Sequence, residues 1–286
     1  MSINIRENVS LKPYCTFKVG GKARYFISVS TKKELLSAFN FAKELFIPYF
    51  ILGNGSNVLF DDRGYKGLII QNNINHLSFN ERVVEVGSGY NLSKLSHICI
   101  DNNISGLEFA YGIPATVGGA VYMNASAHNQ EIASLIEKVV FITDENKIEV
   151  FRKKDLKFGY RSSSFQKLKG CIYQVTLRMK YSRETNFLKT EYFKKREKTQ
   201  PLNTLNAGCV FKNPKDHFAA KLIDECDLKG HAIGGATVSL KHSNFIINEK
   251  NAKASDILDL ISLIKSKVFS KYNILLTEEL FYLPYE

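Results

Sequence analysis

The sequence predicts an α+β fold, and three observations carry that prediction. Short apolar runs bounded by glycine, asparagine or charged turns recur through the first two thirds of the chain, as at residues 49–52, 68–71, 83–86 and 139–143. Helical spacing of apolar residues is confined to a few segments, most of them opened by a capping residue. Composition then shifts at Ser182, where a strand-rich stretch gives way to a charged helix and a smaller mixture of helices and strands. The boundaries that follow are 1–182 for the first unit, with subdomains of about 1–70 and 71–182, and 183–286 for the second.

Composition bounds the class. The 286 residues are 44% hydrophobic and 23% charged, the balance of a folded protein with a sizeable core. No uninterrupted apolar run is long enough for a membrane span. Residues 1–7 carry no apolar leader core, so the expected location is the cytoplasm. Five scattered cysteines form no C-x-x-C pair, and six histidines show no ligand spacing, so neither a disulfide framework nor a metal is expected. A net charge of +11 admits nucleic acid or an anionic small molecule as partner. The densest basic run, residues 189–198, mixes Lys194, Lys195 and Arg196 with Glu191 and Glu197, the pattern of a solvated helix face rather than a nucleic-acid patch.

The elements are read in order. Residues 25–29 are extended. Thr31 and Glu34 form a capping box, behind which Leu35, Ala38, Phe39, Ala42 and Leu45 recur at helical spacing. Residues 49–52 and 58–60 are strands separated by Gly53-Asn54-Gly55-Ser56-Asn57. Residues 68–71 and 83–86 are strands, and Asn91 caps a helix carrying Leu92, Leu95, Ile98 and Cys99. Residues 139–143 and 148–151 form a hairpin around residues 144–147, residues 157–165 a polar loop, and residues 172–181 a strand. In the second unit, residues 184–198 are helical, and Ala219, Leu222, Ile223 and Cys226 mark another helix. Residues 230–238 are a loop and residues 242–248 a strand. Ser255 caps a helix with Ile257, Leu258, Ile261, Ile264 and Val268 on one face, and residues 275–283 close the chain as a strand.

Two glycine-rich segments invite a ligand. The stretch 104–132 holds Gly106, Gly112, Gly118 and Gly119 among small residues with almost no charge. Such density suits either a tight crossing of buried elements or a cradle whose N–H groups point at an anion. The turn 53–57 reads as an anion cradle or an ordinary hairpin turn. It is not a P-loop and not a dinucleotide fingerprint, for neither pattern is present.

Taken together, six segments resemble the UDP-N-acetylenolpyruvoylglucosamine reductase family. They are Thr16-Phe17-Lys18-Val19-Gly20-Gly21, Leu52-Gly53-Asn54-Gly55-Ser56-Asn57, Gly112-Ile113-Pro114-Ala115-Thr116-Val117-Gly118-Gly119-Ala120, Gly159-Tyr160-Arg161-Ser162-Ser163-Ser164-Phe165, Ala207-Gly208-Cys209-Val210-Phe211-Lys212-Asn213-Pro214 and His242-Ser243-Asn244-Phe245-Ile246-Ile247-Asn248. Each alone is weak; six in the family's order, across nearly the whole chain, are specific. The short span between Tyr181 and Cys209 matches the family's shorter subtype, which lacks an inserted tyrosine loop.

The resemblance implies an FAD-binding unit of the PCMH or vanillyl-alcohol-oxidase type, followed by a substrate domain. It implies non-covalent FAD, held by Gly53, Asn54, Gly55, Ser56, Asn57, Gly112, Pro114, Thr116, Gly118 and Gly119. NADPH is the implied co-substrate and UDP-N-acetylglucosamine enolpyruvate the substrate, with hydride passing by flavin N5 to C3 and a proton reaching C2. Arg161 suits the developing charge, because a guanidinium stays ionised and grips a carboxylate in two places. Cys209 stands where the family has its proton donor, and an ordinary thiol, with pKa of about 8.5, is protonated near neutrality and far more acidic than a hydroxyl. The family's glutamate falls on Glu278 or Glu279. Successive strand residues face opposite sides, so one alone reaches the site, and spacing favours Glu279. Tyr160, Lys212 and Asn213 are candidate substrate contacts. Two other readings compete: a flavin oxidase of the same cofactor fold, which needs no such proton donor, and a basic nucleic-acid-binding protein, for which no recognition module is present.

Overall fold

The structure, a computed structural model, describes residues 4–286. Residues 1–3, part of the segment read above for a leader, lie outside the described residues. The chain forms two compact units that interleave along the sequence. The first consists mainly of Phe26–Gly53 and Leu68–Lys195, the second of Glu7–Tyr25, Asn54–Gly67 and Arg196–Glu286.

The first unit is built on a five-stranded antiparallel sheet. Its order is Ile148–Arg152, Ile136–Thr143, Gly170–Arg178, Val83–Gly87 and Leu77–Asn80. Alternate residues of these strands turn inward, so Val84, Val86, Val139, Phe141, Val175 and Leu177 line one buried face. Two helices cover it. Helix α2, Leu92–Asp101, contributes Leu92, Leu95 and Cys99, and helix α3, Val117–Met123, contributes Val117, Ala120 and Val121. The Asn91 cap forms as read, with Oδ1 accepting from Lys94 N at 2.8 Å. So does the capping box of helix α1, Lys32–Glu44, where Glu34 N donates to Thr31 Oγ1 and Thr31 N to Glu34 Oε2. Leu45 alone of that helix's apolar series is exposed, because the helix ends at Glu44. Helix α4, Thr185–Thr199, matches the charged run. It docks through aromatics: Phe193 meets Tyr111 edge-on at 5.4 Å, and Tyr192 stacks on His128.

The second unit packs short helix α5, Ala219–Asp224, and helix α6, Ala254–Tyr272, with a three-stranded sheet, Ala232–Ile233, Ala236–Val238 and Ile246–Asn248. The expected loop at residues 230–238 is therefore a hairpin, folded at Gly234 with φ +54°. Helix α6 buries Ile257, Leu260, Ile261, Ile264 and Val268, each worth about 1.5–3 kcal/mol when removed from water. Ser255 does not cap it. The carboxylate of Asp62 accepts from Ala254 N at 2.7 Å and from Ser255 N at 3.0 Å, so the cap arrives from a residue distant in sequence.

The strands flanking residues 53–57 do not pair, which removes the hairpin reading. Tyr49–Leu52 runs parallel to residues 68–71 in the first unit, whereas Val58–Phe60 runs parallel to Phe281–Leu283 in the second. Beside the latter pair, Asp61 accepts from Arg63 N, Nε and Nη2 and from the Tyr282 hydroxyl. The Arg63 contacts and the tyrosine hold this buried carboxyl well below the usual carboxylate range. A depressed carboxyl stabilises the fold above its unfolded pKa of about 4 and loses that contribution as pH falls towards the folded value. Asp61→Asn is therefore expected to cost about 2 kcal/mol near neutrality. The gap to wild type should narrow below about pH 4 in thermal unfolding, and a gap unchanged with pH would refute the assignment.

Candidate active site

In the first unit, two glycines fit closely against neighbours. A Cβ on Gly53 would lie 2.6 Å from Thr116 Oγ1, and one on Gly118 would lie 2.8 Å from Ser88 Cβ. Gly119 differs: a Cβ there would meet only Thr116 Oγ1, at 3.3 Å, so its outer side is open. Gly112 takes φ +78°, and its N–H donates to Ser93 Oγ at 2.8 Å. The amides at the start of α3 are engaged within the protein. Val117 N donates to Tyr90 O, Gly118 N to Ser88 O, Gly119 N to Thr116 Oγ1 and Ala120 N to Thr116 O. The start of α3 therefore presents no nest of free N–H donors, and its open backbone is at Gly119. A flat group such as FAD would meet bare backbone there at the open side of Gly119, whereas Gly53 and Gly118 face Thr116 and Ser88. Pro114 is exposed beside them.

The chain passes from the first unit to the second between Gly53 and Asn54. Gly55 is buried with φ +63°, and its carbonyl accepts from Thr16 N at 3.1 Å. Asn57 Nδ2 donates to Glu279 O at 3.0 Å, and Phe281 N donates to Asn57 O at 3.1 Å. Ser56 is half-buried and Asn54 exposed.

Cys209 lies in the second unit on a turn set by its neighbours. Asn206 Oδ1 accepts from Gly208 N at 2.9 Å, and Gly208 takes φ +80°, where only glycine is unstrained. Beyond the turn, buried Asn244 holds the backbone from both sides: Phe211 N donates to its Oδ1 at 2.9 Å and its Nδ2 donates to Phe211 O at 2.8 Å, while Val210 N donates to Asn244 O. Residues 242–245 are thus a clamp and not part of a strand, which begins at Ile246. Glu279 N donates to Val210 O at 2.8 Å, which brings the glutamate alongside the cysteine segment. The Glu278 carboxylate instead pairs with Lys265 of α6 at 2.8 Å. Cys209 is half-buried, while Cys15, Cys99 and Cys171 are buried; burial raises the thiols of Cys99 and Cys171 to about 12. Arg196, read as part of a solvated face, is half-buried in the same unit. Its Nε donates to Gln200 at 2.9 Å; burial pushes its guanidinium down and Cys209 opposes that electrostatically. Lys212 is half-buried, its N–H bonded to Thr277 O, and Asn213 Oδ1 accepts from Ala219 N at 3.0 Å, helping to start α5.

Arg161 lies in the first unit, and its surroundings correct the reading of residues 157–165 as a plain loop. Phe158–Gly159 and Ser162–Ser163 pair as a hairpin, with Tyr160 and Arg161 at its tip. Arg161 takes φ +53°, its Nη1 donates to Ser126 Oγ at 2.6 Å, and its guanidinium lies 5.3 Å from the centre of the half-exposed Tyr160 ring. Among the described residues no group of three or more His, Cys, Asp or Glu is placed to hold a metal, and no helix is long and apolar enough to cross a membrane.

Known proteins match over this whole frame. The family model for an FAD binding domain matches residues 23–150, and that for the UDP-N-acetylenolpyruvoylglucosamine reductase C-terminal domain matches residues 200–283. UDP-N-acetylenolpyruvoylglucosamine reductase of Protochlamydia amoebophila is 43% identical over 98% of this chain and 94% of its own length. That of Clostridium novyi is 40% identical over 96% of this chain and 91% of its own. The crystal structure of the Thermus caldophilus enzyme superposes with a TM-score of 0.84 at 35% identity, covering 99% of this chain and 100% of that one. The α+β fold with an FAD-binding unit accordingly stands as read, and the chain belongs to the UDP-N-acetylenolpyruvoylglucosamine reductase family.

Proposed function

We propose that this flavoprotein oxidoreductase reduces UDP-N-acetylglucosamine enolpyruvate to UDP-N-acetylmuramate with NADPH, in the cytoplasm, as a step of peptidoglycan precursor synthesis. The observation that carries the reading is Cys209, a half-buried thiol on a glycine turn clamped by Asn244, next to the Glu279 segment. FAD, when bound, supplies hydride transfer from NADPH to C3 of the enolpyruvyl group. Arg161 pairs with the substrate carboxylate, into which the negative charge arising at C2 is delocalised. Cys209 gives its S–H proton to C2, so that a new C–H bond forms as the S–H bond breaks, and the thiolate regains a proton from water. Glu279 orients the reacting group; the engagement of Glu278 by Lys265 supports choosing Glu279. Tyr160, Lys212 and Asn213 serve substrate binding, and the net charge of +11 favours the approach of an anionic nucleotide sugar. The matched segments 23–150 and 200–283 support a cofactor part followed by a substrate part, while the compact units depart from a single cut at 182, since residues 7–25 and 54–67 pack with the second unit and 183–195 with the first.

The test is spectroscopic. Purified protein should be yellow, bleach with NADPH under anaerobic conditions, and regain colour on addition of UDP-N-acetylglucosamine enolpyruvate. Bleaching without recovery would reject the substrate. Failure to bind FAD would remove the reading altogether.

A further inference from the structure

Arg161 is held more firmly than its place at a hairpin tip requires. Its backbone lies in the left-handed region, at φ +53°, which costs a non-glycine residue on the order of 1 kcal/mol. The surroundings fix that conformation. Gln166 Nε2 donates to Arg161 O at 3.2 Å, Ser163 Oγ to Tyr122 O at 2.7 Å, and Asn124 Nδ2 to Gly159 O at 3.0 Å. Asn124 is 1% exposed, and it ties the arginine hairpin to a second one. Its Nδ2 also donates to Glu131 Oε2 at 2.9 Å, and its Oδ1 accepts from Ala133 N at 3.3 Å.

That second hairpin, Ser126–Ala127 paired with Gln130–Glu131, carries Ser126. It is braced on its other side. The His128 ring lies flat on Tyr192 of α4, with centroids 4.1 Å apart and planes within 7°, and Gln130 Nε2 donates to the Tyr192 hydroxyl at 3.3 Å. Ser126 is therefore a fixed point to which the guanidinium is moored, and not a side chain that follows the arginine.

We propose that Ser126 is a positioning residue for Arg161, its hydroxyl oxygen holding one guanidinium nitrogen so that the guanidinium is preset as a fork for the substrate carboxylate. The physical basis is preorganisation. An arginine side chain carries about 2 kcal/mol of rotamer freedom, and ordering it before the substrate arrives removes that cost from binding and from the transition state. The proposal rests on the reductase reading above, and the experiment separates the two.

The oxidised holoenzyme, without NADPH, is titrated calorimetrically with UDP-N-acetylglucosamine enolpyruvate and, separately, with UDP-N-acetylglucosamine, which lacks the carboxylate. Ser126→Ala should weaken the first by about tenfold and leave the second within about twofold, because the lost hydrogen bond acts only through the carboxylate fork. Ser126→Thr, which keeps a hydroxyl, should restore most of the affinity. In an Arg161→Lys background, Ser126→Ala should add less than about twofold, as expected for residues acting as one unit. Equal weakening of both ligands by Ser126→Ala would mark a merely structural serine and overturn the proposal. So would wild-type affinity, tighter binding, which would mean that Ser126 parks the arginine away from substrate, or a full tenfold loss in the Arg161→Lys background. If wild-type enzyme itself does not bind the enolpyruvyl compound, the reductase reading falls and this role with it. If wild type binds and Ser126→Ala matches it, the positioning role alone falls.

Discussion

Replacing Cys209 by alanine is expected to leave the bleaching of bound flavin by NADPH within about twofold of wild type, while slowing reoxidation by the enolpyruvyl substrate by about 10²- to 10⁴-fold, the range general acids contribute. The asymmetry is the informative part. A thiol that only filled space would affect neither half of the cycle, and one that only held the fold would affect both. The surroundings of Cys209 argue that alanine will be tolerated. The turn is set by Asn206 and Gly208, and the following backbone by Asn244. Thermal unfolding of the alanine variant should therefore lie within a few degrees of wild type. Cys209→Ser should fall between wild type and alanine, because a hydroxyl occupies the same place but is a much weaker acid. Stopped-flow traces of the two half-reactions decide the matter, and normal reoxidation in the alanine variant would remove Cys209 from the mechanism.

Gly55→Ala should be the most damaging change to the fold among the cofactor-turn glycines. Gly55 sits at φ +63°, and a Cβ there would lie 2.0 Å from Tyr14 O. That oxygen cannot easily retreat, because Thr16 N, two residues on, is bonded to Gly55 O. Left-handed strain and overpacking together are on the order of 3 kcal/mol or more. This corresponds to a fall of about 6–12 °C in Tm, with loss of the yellow colour. Gly119→Ala is the paired control. Its Cβ would meet only Thr116 Oγ1, at 3.3 Å, so apoprotein stability should change by less than about 0.5 kcal/mol while FAD affinity drops. Equal stability losses in the two variants would contradict the view that Gly55 serves the fold and Gly119 the cofactor.

The outcomes at particular residues show which features a sequence can reveal. The capping box at Thr31 and Glu34, the Asn91 cap, the hairpin at residues 139–151 and the apolar face of α6 were all legible, because each depends on residues three or four apart, or on alternation within one strand. The density of glycine in residues 104–132 and 53–57 was legible as close approach. What approaches what was not. Gly53 answers to Thr116, Gly55 to Tyr14 and Gly118 to Ser88, and none of these partners is a sequence neighbour. The same holds for Asp62 capping α6, for Asn244 clamping Phe211 and for Ser126 meeting Arg161.

The sequence by itself thus determined the α+β class, the short-range caps and turns, and the residue types able to do the chemistry. Tertiary structure alone decided that residues 49–52 and 58–60 belong to different sheets, that the α3 amides are engaged inside the protein, and that Glu278 is paired with Lys265. The physical reason is one of range. Backbone propensity and capping act within about one turn of chain and are written locally. Hydrogen-bond satisfaction and close packing are properties of whichever segments the fold brings together, and these here lie up to some two hundred residues apart.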